Sequence, residues 1–156
     1  HEAAVTIVDI GAQNINGSLR QCAPLGCRYI GVDFVPGPGV DMVLDDPYHL
    51  PFADASVEVV VSSSCFEHIE FFWLMFNEAL RVLTPGGLLY LNAPANGDFH
   101  RYPVDCWRFY PDAGAALASC PQRGEGRGAG PRLGATGAGG WTGRGIAPDG
   151  WRLDRC

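Results

Sequence analysis

Acidic and small residues stand at the ends of four predicted strands, and their types and order are suited to holding a ligand. The set comprises Asp9, Gly11, Asp33, Phe34, Asp45, Asp46 and serines 62–64. Open parallel sheets bind ligands outside the carboxyl ends of their strands, near the point where strand order reverses. Carboxylates accept hydrogen bonds from hydroxyl and ammonium groups, and glycine lets the backbone approach a ligand closely. Because core packing does not require this pattern, it predicts a site for an adenosyl compound.

Most members of the set have an expected role toward such a ligand. Asp33 is placed to accept hydrogen bonds from both ribose hydroxyls, as the acidic residue of dinucleotide sites does. We expect Phe34 to lie against the adenine ring and Asp46 to accept a hydrogen bond from the adenine amino group. We expect Asp9 to hold the ammonium of an amino-acid moiety, directly or through water. A single such aspartate is more often a turn residue, so only the ordered set favours the site.

The elements that must position these residues alternate between strands and helices. Strands are predicted at Val5–Asp9, Arg28–Asp33, Val40–Leu44, Val57–Ser62 and Leu88–Ala93, and helices at Ser18–Leu25 and Glu70–Leu83. Strands separated by crossovers, without hairpin signals, predict an α/β fold with a parallel sheet. Only seven residues separate Val32 from Val40, so either that crossover is a bare loop or one of those two strands is wrong.

Several segments resemble class I S-adenosylmethionine-dependent methyltransferases, in the bacterial small-molecule group of methyltransferase domains. They are Val8-Asp-Ile-Gly-Ala-Gln13, Ile30-Gly-Val-Asp33, Asp46-Pro-Tyr-His-Leu-Pro-Phe52 with the strand after it, Phe66-Glu-His-Ile69, and Glu78–Leu89 with its Pro-Gly-Gly turn. The resemblance covers about residues 5–112. It implies a Rossmann-like, mostly parallel sheet, S-adenosyl-L-methionine as the cofactor, and methyl transfer to a small-molecule or sugar-type acceptor.

The first motif departs from the family at its second glycine, which is Gln13 here. With Asn14 and Asn16 it supplies amides where glycine gives backbone access, and these amides either bind the methionine carboxylate or the ribose, or weaken cofactor binding. The predicted cofactor-binding residues are Asp9, Gly11, Gln13, Asn14, Asp33, Phe34, Asp46, Ser63 and Ser64. Because Pro47 has no N–H to offer adenine, Asp45 remains an alternative to Asp46.

The segment 96–111 stands where the family builds its acceptor pocket. The alternative to an acceptor-binding role is a purely structural one, in which Trp107 and Phe109 plug the edge of the core while Arg108 pairs with Asp105. A hydroxyl or amine acceptor also needs a proton removed, and the candidate bases are His68, His100 and Asp105. The sequence does not choose among oxygen, nitrogen, carbon and sulfur acceptors, so the catalytic residue itself stays open.

Bulk composition restricts the partners. The net charge is −6 and all eleven cationic residues are arginine, without a basic stripe, so no nucleic-acid partner is expected. No apolar run predicts a signal peptide or membrane span, and the six cysteines are interpreted as free thiols of a cytoplasmic protein. Neither Cys nor His spacing predicts a metal site. Oligomeric state is left open.

Composition changes near Ala118, which divides the chain into a methyltransferase core at 1–118 and a tail at 119–156. Residues 120–156 hold eleven Gly, six Arg and three Pro but few aliphatics, so the tail is predicted to be disordered. It resembles a GC-rich gene translated out of frame, with a natural flexible tail as the alternative. The family adds further strands here, so the sheet is expected to be incomplete after strand five. An inactive remnant that binds the cofactor weakly and a nicotinamide-dependent oxidoreductase are the alternative functions.

Overall fold

A computed structural model describes residues 4–118 and 132–134 of the chain. The strands form one sheet in the order β3-β2-β1-β4-β5-β6, and every neighbouring pair is parallel. They are β1 Thr6–Ile10, β2 Arg28–Asp33, β3 Met42–Val43, β4 Val57–Ser63, β5 Leu83–Asn92 and β6 Arg132–Gly134; the helices are α1 Phe72–Val82 and α2 Pro111–Ala118. This arrangement confirms the predicted Rossmann-like α/β fold.

Strand order reverses at β1, which lies between β2 and β4. Ile10 is paired with Val32 of β2 on one side and with Ser62 of β4 on the other. The carboxyl ends of the three strands therefore meet at one place on the sheet edge. Such a switch point is where an open parallel sheet leaves a crevice for a ligand.

The link between β2 and β3 is a bare loop, as one of the two predicted alternatives required. Asp41, in this loop, accepts the backbone N–H of Gly31 at 2.7 Å and forms an ion pair with Arg20. The loop packs so closely that a Cβ at Gly31 would stand 2.3 Å from the carbonyl oxygen of Gly39. The strand that follows has only two residues, against the five predicted.

The other helices and strands differ from the predicted ones mainly in length. The predicted helix Ser18–Leu25 forms only a 3₁₀ turn at Leu19–Cys22, started by Ser18, whose hydroxyl accepts the N–H of Arg20. The best predicted helix is present as α1, and its residues Met75, Phe76, Ala79, Leu80 and Val82 are buried. Strand β5 begins directly after α1 rather than at Leu88, because the Pro-Gly-Gly turn is included in it as an irregularity opposite β4.

The Leu50-Pro-Phe52 turn is tied to α1 by two charged side chains. Glu78 Oε1 accepts the backbone N–H of Leu50 at 2.8 Å. Arg81 donates to the carbonyl oxygens of Leu50 and Phe52 at 2.9 Å each, and pairs with Glu78 at 2.6 Å. The turn and the helix, two segments that carry the family resemblance, are thus joined by hydrogen bonds of one ion pair.

Replacing Arg81 should destabilise the fold without touching the ligand cleft. Hydrogen bonds to charged groups contribute about 1.5–3 kcal/mol, and Arg81→Met leaves Glu78 and two carbonyl groups without their donor. We expect the free energy of unfolding to fall by about 2–3 kcal/mol in urea titration. Arg28→Met, at an exposed position of β2, is the matched control. Equal stability of the two variants would contradict the role given to Arg81.

Strand β6 was not predicted. It is three residues long, lies within the predicted tail, and pairs with Leu88–Tyr90 of β5. Residues 119–131 and 135–156 lie outside the described residues, so the division at 118 and the character of the tail stay predictions. Cysteines 22, 27, 65 and 106 carry no disulfide among the described residues. In that part of the chain, no helix is long and apolar enough to cross a membrane.

Candidate functional site

A cleft of about 1140 Å³ opens at the switch point of the sheet. Of the predicted site residues, it is lined by Asp9, Gly11, Gln13, Asp33, Phe34, Ser63, Ser64, His68 and His100. These residues come from the ends of β1, β2 and β4 and from the loop after β5. The fold therefore brings together nine residues that are spread over more than ninety positions of the sequence.

The loop after β1 requires glycine at its first turn. Gly11 has a φ of 77°, which side chains rarely tolerate, and its N–H donates to the carbonyl oxygen of Val32 at 3.0 Å. A Cβ at this position would stand 2.3 Å from Sγ of Cys65, the residue after the serines that follow β4. Glycine thus permits both the turn and the close approach of two loops at the cleft floor.

Asp9 is a buried carboxylate at the bottom of the cleft. Its side chain accepts a hydrogen bond from the hydroxyl of Tyr29 at 2.7 Å, and the residue is 4% exposed. Burial raises the pKa of Asp9 to about 6, although the Tyr29 hydrogen bond and the positive charge of Arg20 act in the opposite direction. A group with a positive charge in the cleft would favour its ionised form.

Asp33 and Phe34 stand side by side where β2 ends. Asp33 is buried, and one of its carboxylate oxygens accepts the N–H of Val35 at 3.1 Å, while Phe34 is about half exposed. Both also border a second, smaller cavity of about 180 Å³. Its wall is mainly apolar and includes Leu44, Pro47, Tyr48, Ile69 and Met75. A carboxylate beside an apolar recess matches a ribose joined to a flat base.

Three predicted site residues are not part of the cleft wall. Asp46 accepts the N–H of Tyr48 at 2.8 Å, and Asn14 accepts the N–H of Gly17 at 3.0 Å, so both side chains stabilise local turns. Asp105 is held in an ion pair with Arg108. Pro47 rather than Asp46 faces the smaller cavity. Their predicted contacts with a ligand are therefore not supported by their positions and stay predictions.

The amides and hydroxyls of the cleft are also held in place. Gln13 donates weakly to the carbonyl oxygen of Pro36 at 3.4 Å. Ser63 accepts the side-chain N–H of Asn92 at 2.9 Å, and the backbone N–H of Ser64 donates to the carbonyl oxygen of the same asparagine. Ser64 has a φ of 51°. Asn92 thus fixes the serine turn that closes one side of the cleft.

The aromatic segment after β5 has two parts: one lines the cleft, and the other packs against the rest of the domain. Residues 100–103 line the cleft, whereas Trp107 donates to the carbonyl oxygen of Ile69 at 2.9 Å and stacks edge-on against Phe72. Asp105 and Arg108 form a bidentate ion pair, with Nη1–Oδ1 and Nη2–Oδ2 distances of 2.5 and 2.8 Å. These hydrogen bonds hold the pKa of Asp105 well below its ordinary value. The predicted plug is present in the second half of the segment, whereas the first half lines the cleft, and its role as an acceptor pocket stays a prediction.

Two imidazoles stand at this end of the cleft. The rings of His68 and His100 meet edge to face with 4.9 Å between centroids. Nδ1 of His68 lies 2.5 Å from the carbonyl oxygen of Val104, and Nδ1 of His100 lies 3.0 Å from that of Asp98. Beside them are Arg101, Tyr102 and Pro103. The helix side and the loop side of the cleft therefore each contribute one histidine.

Glu67 and Tyr29 were not among the site residues predicted from the sequence. Glu67 borders the cleft next to His68 yet is only 1% exposed, and its backbone carbonyl accepts the N–H groups of Cys106 and Trp107. Tyr29 donates to Asp9. A glutamate inside a Phe-Glu-His-Ile run gives no signal of burial in the sequence, and the position of Tyr29 beside Asp9 depends on strand register.

Comparison with known proteins decides the family. The sequence profile of the methyltransferase domain family matches residues 4–91. The chain belongs to this family. An uncharacterized methyltransferase of Mycobacterium sp. (strain KMS) is 41% identical over 76 residues, and one of Mycobacterium leprae (strain TN) is 39% identical over 82 residues. The matches cover 43% and 45% of this chain but 30% of each relative, so the methyltransferase domain described here spans less than a third of their length.

Solved structures agree with the fold of this methyltransferase domain. A SAM-dependent methyltransferase from Archaeoglobus fulgidus aligns with a TM-score of 0.57 at 17% identity, over 74% of this chain and 59% of the other. The [4+2]-cyclase SpnF aligns with a TM-score of 0.56 at 17% identity, over 74% and 50%. Because one of these neighbours is a cyclase, the shared fold confirms the class I architecture and leaves the reaction to be argued from the site.

Proposed function

We propose that this domain binds S-adenosyl-L-methionine and transfers its methyl group to a small-molecule or sugar-type acceptor. The observation that carries the proposal is the meeting of two buried carboxylates, Asp9 and Asp33, across the Gly11 turn in one cleft. The ligand that satisfies both needs a cationic group and a pair of hydroxyls. An adenosyl amino acid has these groups, joined to a flat base.

The cleft offers a contact for each part of such a cofactor: the ribose, the adenine and the methionine moiety. Asp33 would accept hydrogen bonds from the ribose hydroxyls, since one N–H donor leaves most of its acceptor capacity unused. The apolar recess beside Phe34 would receive the adenine. Asp9 would bind the ammonium group, and Gln13 with the serines 63–64 would border the rest of the methionine moiety. A Cβ at Gly11 would collide with Cys65, so any side chain there would push apart the two loops that border these contacts.

When bound, S-adenosylmethionine supplies an electrophilic methyl carbon with a neutral thioether as its leaving group. The chain has mainly to hold the acceptor in line with that carbon, because positioning accounts for much of the rate. The wall made of His68, His100, Arg101 and Tyr102 offers polar contacts to a hydroxyl-bearing acceptor. Either imidazole can take a proton from a hydroxyl, whereas Asp105 is neutralised by Arg108.

Cofactor identity is tested by calorimetry. We expect S-adenosylmethionine and S-adenosylhomocysteine to bind with one site per chain, and NAD and NADP to give no heat. The reason is the missing glycine fingerprint of dinucleotide sites, since Gln13 stands where a second glycine would be. Binding of a nicotinamide dinucleotide in place of the adenosyl amino acids would favour the oxidoreductase alternative. Binding without methyl transfer to a panel of sugars and hydroxylated metabolites would favour the inactive remnant.

A further inference from the structure

Glu67, His68 and His100 form a cluster at the acceptor end of the cleft. One carboxylate oxygen and one ring nitrogen from each histidine lie within 4.8 Å of one another. Nε2 of His68 lies 3.8 Å from Oε1 of Glu67. Two imidazoles and one carboxylate are a ligand set used for divalent transition metals with open coordination positions.

Glu67 provides a second observation that calls for a cation. Its residue is 1% exposed, and among the described residues its Oε2 accepts no hydrogen bond. A buried carboxylate is costly unless it is paired or coordinates a metal. The positive charge of Arg108 also acts on Glu67, but its guanidinium donates two hydrogen bonds to a different carboxylate, that of Asp105. Oε2 of this buried carboxyl group is therefore available to a cation in the cleft.

The two histidines are oriented as ligands by backbone carbonyls. Nδ1 of His68 faces the carbonyl oxygen of Val104, and Nδ1 of His100 faces that of Asp98. A carbonyl only accepts, so Nδ1 is the donor in each pair, and the lone pair of a neutral ring would lie on Nε2. Second-layer hydrogen bonds of this kind fix the tautomer and direction of metal-binding histidines in proteins.

We infer that Glu67, His68 and His100 bind a divalent transition-metal ion at the acceptor end of the cleft. Ligand atoms about 2.1 Å from a tetrahedral ion lie roughly 3.5 Å apart, so the cluster must close by about 1 Å. His100 can supply this movement, because its side chain is 55% exposed and lies on a loop. Three protein ligands leave a position for an acceptor hydroxyl, and the ion would lower the pKa of that hydroxyl in place of an imidazole base, because both Nε2 atoms are then ligands. That role rests on the proposed function, whereas metal binding does not.

The test titrates the full chain with cobalt(II) and zinc(II), using visible absorption and calorimetry. We expect one ion of each metal to bind per chain, with cobalt spectra of nitrogen and oxygen ligands. Glu67→Gln keeps the shape and removes the charge, and His100→Ala removes an exposed ligand. Each should weaken the affinity at least tenfold. His49→Ala is the matched control, because His49 is exposed and paired with Glu78 outside the cleft.

If the chain does bind metal, three results with the variants and the cobalt spectra would still overturn the inference. They are unchanged affinity in Glu67→Gln and His100→Ala, an equal loss in His49→Ala, and thiolate-to-cobalt charge-transfer bands that identify cysteine ligands. Calorimetry of S-adenosylhomocysteine with His100→Ala and thermal unfolding of Glu67→Gln show whether each variant is still folded. A chain that binds S-adenosylhomocysteine but no metal contradicts this inference alone. A chain that binds metal but no adenosyl ligand contradicts the proposed function alone.

Discussion

Asp33→Ala should weaken the binding of S-adenosylhomocysteine by ten- to a hundredfold. The buried carboxylate is expected to accept hydrogen bonds from both ribose hydroxyls, and charge-assisted bonds of this kind contribute roughly 1.5–3 kcal/mol. A tenfold change in the dissociation constant corresponds to about 1.4 kcal/mol. Calorimetry at constant pH and salt measures the loss directly.

The control for Asp33→Ala is Asp112→Ala, which removes an exposed carboxylate at the start of α2. It should leave the dissociation constant unchanged. Asp33 accepts a single hydrogen bond within its own turn, from Val35, so Asp33→Ala is expected to stay folded, and far-ultraviolet circular dichroism checks this. A folded Asp33→Ala variant with undiminished affinity would remove Asp33 from the site.

Affinity for the same ligand should fall as the pH is lowered through about 6. Burial raises the pKa of Asp9 to about 6, and a contact with the ligand ammonium needs the ionised carboxylate. Binding then releases a proton below that pH, so the affinity should drop by roughly tenfold per pH unit and level off above about pH 7. Calorimetry across about pH 5 to 8 gives the profile.

Asp9→Asn separates the binding role of Asp9 from its effect on stability. The folded state favours the neutral carboxyl group of Asp9. The contribution of this group to folding stability is therefore greatest below its unfolded pKa of about 3.9 and is lost as the pH rises through about 6. At about pH 8 the neutral amide should therefore raise Tm while it weakens ligand binding by an order of magnitude or more. Its affinity should no longer depend on pH in this range. A stable variant that keeps the full pH profile would show that another group titrates.

The local sequence was sufficient to predict a site residue where the position of that residue depends only on its own strand or turn. Gly11 and Asp33 were predicted from their places at strand ends, and the structure puts both in the cleft wall. The loop between β2 and β3 was one of two alternatives set by chain length alone. Position at a strand end did not place Asp46 and Asn14 in the cleft wall. A short polar side chain after a strand can also close a turn, as both do here.

Helix and strand lengths were less well determined by the sequence. Propensity and periodicity predicted eight helical residues at Ser18–Leu25, but four form a 3₁₀ turn. The side chain of Arg20 reaches from this turn across Tyr29 to Asp41, so contacts with β2 and its loop decide the local geometry. Strand β6 is likewise defined by pairing with β5, since three residues carry no periodic signal of their own.

The amino-acid sequence by itself determined the class of this protein: a parallel α/β sheet of the methyltransferase domain family with carboxylates and glycine at its strand ends. These features depend on neighbours in the chain, so spacing and residue type report them. Only the tertiary structure decided that His68 and His100 meet, thirty-two positions apart, and that Glu67 beside them is buried without a hydrogen bond to Oε2 from any described residue. Burial and contact between loops depend on how the chain packs, and the sequence pattern around these three residues carries no record of it.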